Sequence, residues 1–398
     1  MKILMVSSFL PYPLYSGGHI RLYNLIKELS KKHEIILVCE KRDWQTKDDV
    51  SEVEKFCSVI TVPRKRQWSL GNILKTGFSK NPFLVVGHTN GLMKKEIIKI
   101  LSKEKFDLIH VETFYVMQNL PKTNLPIVLA DHNIEYLVYK RFANQASLFL
   151  KLFFYLDVLK MKFIEEDYWK KATRVVAVSE DEKRLMNGND IVVIPNGVNV
   201  TKFKVESLKL KEGNKERRLL FIGDFKWMQN RDSIDWILKE IWPEIKAKIQ
   251  NSNIKLNLKM WIVGRNIPDS IKKLANGSLD VIFEENAEDT VDIFNKSFLL
   301  LAPIRVGGGT SYKILEAMAS GIPVITTRLG IEGIKAKEDE EVIIANNTED
   351  FANRALEVLK DENLYEKLSK KGRSLIVEEY DWENISKKLE ETYLSILK

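Results

Sequence analysis

Apolar runs and amphipathic stretches alternate along the whole chain. Lys2–Ser7, Phe106–Val111 and Phe298–Ala302 are apolar runs, a pattern typical of strands buried on both faces of a parallel sheet. Segments with helical periodicity lie between such runs, and residues 22–29 place four apolar side chains on one helix face. This alternation predicts an α/β protein built on parallel sheets.

Further strands are predicted by the same pattern, and residues 349–398 have the periodicity of helices. Residues 41–105 are charged and irregularly patterned; they include a basic-aromatic cluster at residues 64–68 that is more typical of a solvated loop than of a binding site. The additional predicted strands are Ile35–Cys39, Ile127–Ala130, Arg174–Val178, Leu219–Ile222, Trp261–Gly264 and Val324–Thr327.

The stretch from Tyr139 to Trp169 is rich in aromatic residues and lysines and is predicted to be helical. Its wide apolar face favours a buried core helix or helix pair. The alternatives are an acceptor groove or an interfacial membrane helix, because basic residues flank the apolar face. The apolar face comprises Leu148, Phe149, Leu152, Phe153, Leu156 and Leu159.

Length and composition indicate a soluble protein of two domains. The chain has 398 residues, of which 44% are hydrophobic and 29% are charged. Cys39 and Cys57 have no metal-ligand spacing, so a reduced, cytoplasmic compartment is expected. The apolar N-terminus is too short for a signal peptide, and no run is long enough to span a bilayer.

The positive charge is concentrated in the first half of the chain. Residues 1–190 contain 30 Lys and Arg against 22 Asp and Glu, whereas the net charge of the whole chain is +7. The first half is therefore expected to attract anions such as an anionic membrane or an acidic acceptor. A compositional bias toward lysine is the competing explanation.

The stretch from Phe298 to Thr327 reads as strand, glycine-rich loop, helix, turn and strand. The glycines at residues 307–309 allow the backbone to approach a ligand closely. Thr310 or Ser311 is expected to cap the following helix, whose N-terminus favours an anion.

Three charged side chains flank this loop. Arg305 and Lys313 add positive charge, and Glu316 lies one helical turn beyond Lys313, where a carboxylate can accept hydrogen bonds from sugar hydroxyls. Together these parts suit a nucleoside diphosphate with its ribose. The loop matches neither a P-loop nor the G-x-G-x-x-G pattern, so the residues alone leave open an ordinary capped helix with a surface ion pair.

Residues 313–327, KILEAMASGIPVITT, followed by GIEGI at residues 330–334, resemble the donor site of retaining glycosyltransferases of family 4, in the branch with a GGGT-x-x-KILEAMA motif. The resemblance implies the GT-B fold, in which two doubly wound Rossmann-like domains face each other across a cleft. It gives Glu316 a catalytic role as well. The donor or phosphate contacts implied in this stretch are Gly308, Gly309, Thr310, Lys313 and Glu316.

Two segments of the first half resemble the same family. Residues 131–135, DHNIE, follow a predicted strand and resemble its HN-x-E segment, which implies that His132 faces the transferred sugar and contributes to the catalytic centre. A role of His132 in substrate binding ranks above a role as general base. In residues 11–25, P-x-P, Gly-Gly and R-x-x-N-L imply that Gly17 and Gly18 close over the donor phosphates.

The chain departs from the family pattern at two places. Asp224 stands where the family has an Arg, and Asn230 stands about where it has a Lys, although Trp227 and Asn230 match a branch with W-x-x-N. Gly308 stands where most members have the first Glu of a Glu-x7-Glu pattern. The phosphate charge is therefore assigned to Arg265, Arg305 and Lys313.

These observations predict a retaining, metal-independent hexosyltransferase that moves a sugar from a UDP- or GDP-linked donor to a hydroxyl acceptor. The acceptor would be a glycan, a lipid-linked sugar or a surface polysaccharide precursor. No cofactor and no nucleic acid partner are expected. Weak association with the inner face of an anionic membrane is expected. The alternatives are other GT-B chemistry, such as a nucleotide-sugar epimerase, and a non-catalytic scaffold that binds sugar nucleotides.

A domain boundary is predicted close to Pro195, where VVIPNGVNVTKF resembles the hinge segment of the family. Residues 1–195 would form the acceptor-side domain and residues 196–375 the donor domain. Residues 376–398 would form a C-terminal helix that crosses back to the first domain.

Overall fold

The structure is a computed structural model that describes residues 1–188, 190–203, 216–252, 256–275, 277–287, 289–307 and 309–397, without the side chains of residues 145, 148 and 149. The chain forms two compact units. The first unit contains Met1–Asn196 together with the end of the chain from Ile385, and the second unit contains Gly197–Asn384.

The first unit is built on a seven-stranded parallel sheet with the strand order β3-β2-β1-β4-β5-β6-β7. Its strands are β1 (Lys2–Ser7), β2 (Glu34–Lys41), β3 (Ser58–Pro63), β4 (Leu108–Glu112), β5 (Ile127–Ala130), β6 (Arg174–Ala177) and β7 (Ile191–Val193). Its helices are α1 (Gly17–Leu29), α2 (Lys47–Glu54), α3 (Leu70–Phe78), α4 (Phe83–Gly87), α5 (Gly91–Lys103), α6 (Glu135–Gln145), α7 (Leu148–Lys171) and α8 (Glu180–Leu185), with a 3-10 turn at Phe114–Asn119.

The second unit is built on a six-stranded sheet with the order β10-β9-β8-β11-β12-β13, again parallel. Its strands are β8 (Glu216–Asp224), β9 (Asn257–Arg265), β10 (Val281–Glu285), β11 (Leu299–Ala302), β12 (Val324–Thr326) and β13 (Ile343–Ile344). Its helices are α9 (Met228–Trp236), α10 (Trp242–Gln250), α11 (Asp269–Leu274), α12 (Thr290–Asn295), α13 (Tyr312–Ala319), α14 (Thr348–Lys360) and α15 (Glu362–Glu379), and a π-helical segment, Ile237–Ile241, joins α9 to α10. The last helix, α16 (Trp382–Ile396), begins in this unit and ends in the first.

Both sheets change the direction of strand order at a central position, between β1 and β4 in one and between β8 and β11 in the other. In open parallel sheets ligands bind beyond the carboxyl ends of the strands at such switch points. The strands β1, β4 and β11 are almost wholly buried, and β8 is buried at Leu219–Ile222, as their apolar sequences predict. The fold therefore offers one crevice in each unit, and the predicted α/β class is confirmed.

The stretch from Tyr139 to Trp169 forms a helix pair, α6 and α7, but its predicted burial is wrong. Only the side of α7 that carries Met161, Ile164 and Trp169 packs into the core of the first unit. The described members of the predicted apolar face, Leu152, Phe153, Leu156 and Leu159, are exposed. The periodicity identified a helix, but several apolar side chains of α7 point to solvent.

Residues 41–105 contain more regular structure than their pattern indicated. Strand β3 and helices α2–α5 all lie there. Within the described part of the chain, no helix combines the length and the apolar character needed to cross a membrane.

Candidate functional site

The glycine-rich loop of the second unit follows β11 at the switch point of the sheet. Gly307 and Gly309 have φ angles of 115° and 82°, a region that residues with a Cβ rarely adopt. Gly308, predicted to contact the donor, lies outside the described residues. The chain can therefore turn sharply between the strand and α13.

The helix that follows the loop begins with unsatisfied polar groups. Ser311 is the N-cap residue of α13, but among the described residues its side chain makes no capping hydrogen bond. The Thr310 hydroxyl is buried, and no hydrogen-bond partner for it exists among the described atoms. Neither residue caps the helix as expected. An anion at this N-terminus would find in the Thr310 hydroxyl a donor that the described residues leave unused.

Lys313 lies in the first turn of α13 and is only partly exposed. Its Nζ donates a hydrogen bond to Asn230 Oδ1 at 2.7 Å and lies 4.4 Å from the centre of the Phe221 ring. In the described ranges, no carboxylate lies within 4.0 Å of this amine. Burial therefore lowers the pKa of Lys313 to about 7, although the negative charge of Glu316 opposes the shift.

Asn230 reaches Lys313 because of the residue beneath it. Gly223, the second-last residue of β8, lies against Asn230, and a Cβ on Gly223 would lie 2.8 Å from the Asn230 side chain. Asn230 Nδ2 also donates to the carbonyl oxygen of Asp224 at 2.8 Å. The structure thus brings together Asn230 and Lys313, which the sequence had placed at the same site.

Glu316 lies one turn further along α13 and is also only partly exposed. Burial raises its pKa to about 7, while the positive charges of Lys202 and Lys313 act in the opposite direction. Lys202 was not predicted at the site. It is the second-last residue of the hinge segment, to which the sequence assigned no ligand contact. The second unit therefore places a lysine and a carboxyl, both with pKa values near neutrality, beside the glycine-rich loop.

The two arginines predicted to bind phosphate already have acidic partners. Arg265, at the end of β9, forms an ion pair of 3.3 Å with Asp224, its register partner on β8. Arg305 forms an ion pair of 3.0 Å with Asp232, and its guanidinium lies 4.3 Å from the centre of the Trp236 ring. Of the three predicted cations, Lys313 is thus the one with no carboxylate on it among the described residues.

The first unit places His132 just beyond β5, in contact with a buried carboxylate. Glu112 ends β4 and accepts hydrogen bonds from His132 Nε2 at 2.5 Å and from His110 Nε2 at 2.7 Å. An ionised carboxylate only accepts, so both Nε2 atoms carry a proton. Tyr393, on α16, donates its hydroxyl to His110 Nδ1 at 2.8 Å. A continuous chain of hydrogen bonds therefore runs from the last helix to His132.

The charge on Glu112 is maintained by its neighbours. Burial alone would raise its pKa, but His132 and His110, which donate to it, hold that pKa well below its usual range. Arg21 Nε lies 3.8 Å away, and the guanidinium of Arg21 also donates to the carbonyl oxygen of Pro195 at 2.8 Å. The network couples an anionic carboxylate, a guanidinium and two imidazoles in the protein interior.

The DHNIE segment itself is fixed from both sides. Asp131 accepts hydrogen bonds from Trp169 Nε1 at 2.7 Å and from the backbone N–H of Phe114 at 2.9 Å, and burial raises its pKa to about 6. Glu165 accepts from the first backbone N–H groups of α6, those of Glu135 and Tyr136. These contacts hold His132 in one orientation with 16% of its side chain exposed.

Gly17 and Gly18 are the first two residues of α1 and do not precede the helix as predicted, because Ser16 is its N-cap residue. A Cβ on Gly18 would lie 2.9 Å from His132 Nδ1. Gly18 therefore allows the helix N-terminus to approach the imidazole.

Sequence reasoning missed Glu112, Arg21 and Tyr393. The signal for Glu112 was available, because it directly follows the run Phe106–Val111 and so lies at the same sheet edge as His132. The next residue, Thr113, has a φ of 77°, which is strained for a β-branched side chain. Nothing in the sequence around Tyr393 indicates its partner, which lies 283 positions away.

Two family models match the chain on either side of the hinge. The model of Glycosyltransferase Family 4 matches residues 15–202, and the model of Glycosyl transferases group 1 matches residues 216–361. The protein is built from two glycosyltransferase domains. The candidate sites of both units lie within the matched ranges.

The chain is also similar to known proteins over its full length. A protein of Klebsiella pneumoniae, known as an uncharacterized 44.6 kDa protein in the cps region, is 23% identical over 390 residues, 96% of each chain. A glycosyltransferase of Rickettsia africae is 19% identical, with a TM-score of 0.67 over 100% of this chain and 98% of its own. The Anabaena protein HepE, solved with UDP and glucose, is 14% identical, with a TM-score of 0.65 over 99% and 100% of the two chains. The glycosyltransferase domains therefore have the GT-B fold, as predicted.

Proposed function

We propose that the protein is a retaining glycosyltransferase that moves a sugar from a UDP- or GDP-linked donor to a hydroxyl group of an acceptor. The observation that carries this proposal is the pair Lys313 and Glu316, both partly buried beside a glycine-rich loop and an uncapped helix N-terminus. The resemblance to the GGGT-x-x-KILEAMA branch supports the retaining outcome. HepE, which has the same fold, was solved with UDP and with glucose.

The donor diphosphate is proposed to bind where α13 begins. The positive end of the helix, the backbone around Gly309, the Thr310 hydroxyl and the amine of Lys313 would all face its oxygens. These groups stabilise the negative charge that develops on the leaving diphosphate, so the proposal needs neither a metal ion nor a cofactor. Glu316 would accept hydrogen bonds from the ribose hydroxyls.

His132 is proposed to bind a hydroxyl group of a substrate sugar. Because the proton on Nε2 is donated in a hydrogen bond to Glu112, His132 in its neutral form presents Nδ1 as an acceptor, beside Gly18. Gly17 and Gly18 would contribute backbone N–H groups from the N-terminus of α1. In this role Glu112 is a positioning residue that sets the tautomer of the imidazole.

The reaction is tested by measuring release of free UDP or GDP from a panel of nucleotide sugars, with and without a mixture of hydroxyl acceptors. A transferase releases the nucleotide only when an acceptor is present, beyond slow hydrolysis. An epimerase changes the sugar without that dependence. A non-catalytic scaffold, the reading favoured by Gly308 in place of a Glu, shows a thermal shift with the nucleotide sugar and no turnover with any acceptor.

The acceptor is proposed to lie at a membrane surface, and the support comes from the exposed side of the first unit. Helices α3 and α7 present large apolar side chains to solvent, and Lys160 of α7 donates to the carbonyl oxygen of Thr76 in α3 at 2.6 Å, which joins the two helices. Phe78 is 93% exposed. Patches of this kind mark interaction sites, and basic side chains around them favour anionic lipid. We call the exposed apolar side chains in and next to these two helices the α3/α7 apolar surface; they are Trp68, Leu70, Ile73, Leu74, Phe78, Leu152, Phe153, Leu156, Leu159 and Phe163.

Co-sedimentation with vesicles tests this location. Binding should be stronger to anionic than to neutral vesicles and should weaken with salt. A remainder of the binding should resist salt, because it comes from the α3/α7 apolar surface. Phe78→Ser should reduce that remainder, whereas Leu279→Ser, which removes a 91% exposed side chain from the second unit, should not. Equal binding to both vesicle types by the wild type and by both variants would contradict the membrane proposal and would leave the transferase proposal unaffected.

A further inference from the structure

Two arginines follow neighbouring strands of the first sheet, at the same edge as His132. Strands β2 and β3 pair in parallel register up to Lys41 opposite Pro63, so Arg42 and Arg64 are the next pair. The backbone N–H of Arg64 donates to the carbonyl oxygen of Lys41 at 2.9 Å, which continues the ladder. The fold therefore places two positive charges side by side at the carboxyl ends of β2 and β3.

Arg64 is held by a buried hydrogen-bond network. Its Nη2 lies 3.2 Å from His88 Nε2, and because a guanidinium only donates, that nitrogen accepts. The proton of His88 is therefore on Nδ1, which donates to Glu40 at 2.9 Å. The other oxygen of Glu40 accepts from Asn90 Nδ2 at 3.1 Å. Glu40, His88 and Asn90 are each about 1% exposed, so Arg64 rests on a rigid polar support.

Neither guanidinium forms an ion pair with a carboxylate of the described residues. In the part of the chain that the structure describes, no carboxylate lies within 4.0 Å of Arg42 or Arg64, and the oxygens of the nearby Glu40 are used by His88 and Asn90. Arg265 and Arg305, by contrast, each form an ion pair with an aspartate. Burial and then the positive charge of Arg64 lower the pKa of Arg42, while the negative charge of Glu40 acts in the opposite direction.

The arginines share their surroundings with His132. The ring of His19 lies 4.7 Å from that of Phe9, which lies 6.3 Å from the ring of His132. Burial and then the positive charges of Arg42, His132 and Arg64 lower the pKa of His19 to about 4. The arginines and His132 are therefore near enough to act on the same imidazole, that of His19 in the first turn of α1.

We propose that Arg42 and Arg64 form a subsite for a phosphate group on the acceptor. Two guanidinium groups match a phosphate that carries up to two negative charges, and their planar donors suit its oxygens. The inference rests on the proposed transferase function, which it sharpens: the acceptor would be a hydroxyl compound that also carries a phosphate, either on a lipid or free in solution.

Titration of the labelled full-length protein with inorganic phosphate tests the subsite, with the Nε–H signals of Arg42 and Arg64 and the ring signals of His88 observed by NMR. Saturating shifts are expected in the wild type, with or without UDP. Binding should weaken about tenfold or more in R42Q/R64Q. The matched control K65Q/R66Q removes two exposed charges from the same turn and should stay within about threefold.

Two outcomes overturn the proposal: no saturable shift at these residues, or an equal loss in both double variants. Because the signals are local and UDP is optional, failure here is separate from failure of donor binding in the second unit. Vesicles of phosphatidylcholine with and without phosphatidic acid form a second arm. Stronger binding to phosphatidic acid than to inorganic phosphate, lost in R42Q/R64Q, identifies a lipid source, and the reverse order identifies a soluble one.

Discussion

The candidate sites of the two units are built in opposite ways. In the second unit, residues 305–316 and Asn230 place a lysine and a carboxyl beside a loop, both with pKa values near 7 and neither in an ion pair among the described residues. In the first unit, Arg21, His110, Glu112, His132 and Tyr393 come from distant parts of the chain and contact one another in the interior. In the second unit, Lys313 and Glu316 lack ion-pair partners among the described residues, so a ligand can supply them. In the first unit, the protein itself supplies the hydrogen-bond partners of Glu112.

The largest effect is expected on the free energy of unfolding, at Glu112, because this carboxylate lies at the centre of the hydrogen-bond network of the first unit. Glu112→Gln leaves the charge of Arg21 buried without its partner and removes an acceptor from one imidazole. Unfolding free energy should fall by about 3–5 kcal/mol, measured by urea denaturation. The control is Glu390→Gln, which breaks the partly exposed contacts of Glu390 with Lys32 and His33 and should cost about 1 kcal/mol or less. Equal losses would show that the Glu112 network is not special.

Glu316→Gln should leave stability almost unchanged and impair donor use instead. Loss of a hydrogen bond to a charged acceptor costs about 1.5–3 kcal/mol, or roughly tenfold to over a hundredfold in kcat/KM for the nucleotide sugar. Steady-state kinetics measure the loss, and the melting temperature serves as the check on folding. Normal donor kinetics in a folded variant would remove Glu316 from the ribose.

Lys313→Met keeps the aliphatic stem over Phe221 and removes the charge. The dissociation constant for UDP should rise about tenfold, whereas that for uridine should change little, because only UDP carries phosphate. Calorimetry with the two ligands measures the difference. Lys296→Met, at an exposed lysine paired with Asp292, is the matched control and should leave both values unchanged. An equal loss for uridine and UDP in the Lys313 variant would place Lys313 away from the phosphates.

The difference between the sites also explains what could be predicted from sequence. Residues 307–316 act together because they are consecutive, so the strand, the loop, the helix start and the Lys313–Glu316 spacing could all be read from the pattern. The association of Tyr393 with His110 depends on how α16 packs, which no local pattern contains. The prediction that the apolar face of α7 is buried failed for a third reason. Periodicity identifies the apolar side of a helix but does not show what covers it.

The titration of Lys313 adds a pH dependence to the donor site. Its pKa of about 7 in the free protein should rise when UDP brings negative charge, so binding takes up a proton above pH 7. UDP affinity should therefore fall between pH 7 and 9 by up to about tenfold in total, the contribution assigned to the charged amine, and should lose this pH dependence in Lys313→Met. Calorimetry in buffers of different ionisation enthalpy reports the proton uptake. A flat profile from pH 7 to 9 in the wild type would contradict the assignment.

The smallest effects are expected at the paired arginines. Arg265→Gln and Arg305→Gln remove cations that Asp224 and Asp232 already neutralise, so UDP affinity should change by about twofold to threefold. The same calorimetric titration measures both. Losses as large as that of Lys313→Met would mean that the arginines leave their aspartates when the nucleotide binds.

The position of α16 has a consequence for the order in which the protein is made. Ile385, Leu389 and Tyr393 are completely buried and belong to the first unit, yet almost 190 residues separate them from Asn196. At about 5–20 residues per second, a ribosome takes roughly 10–40 s to add that length. During this interval the nascent first unit lacks three side chains of its interior, and the hydroxyl partner of His110 has not been synthesised. The unit that is translated first is therefore the last to be completed.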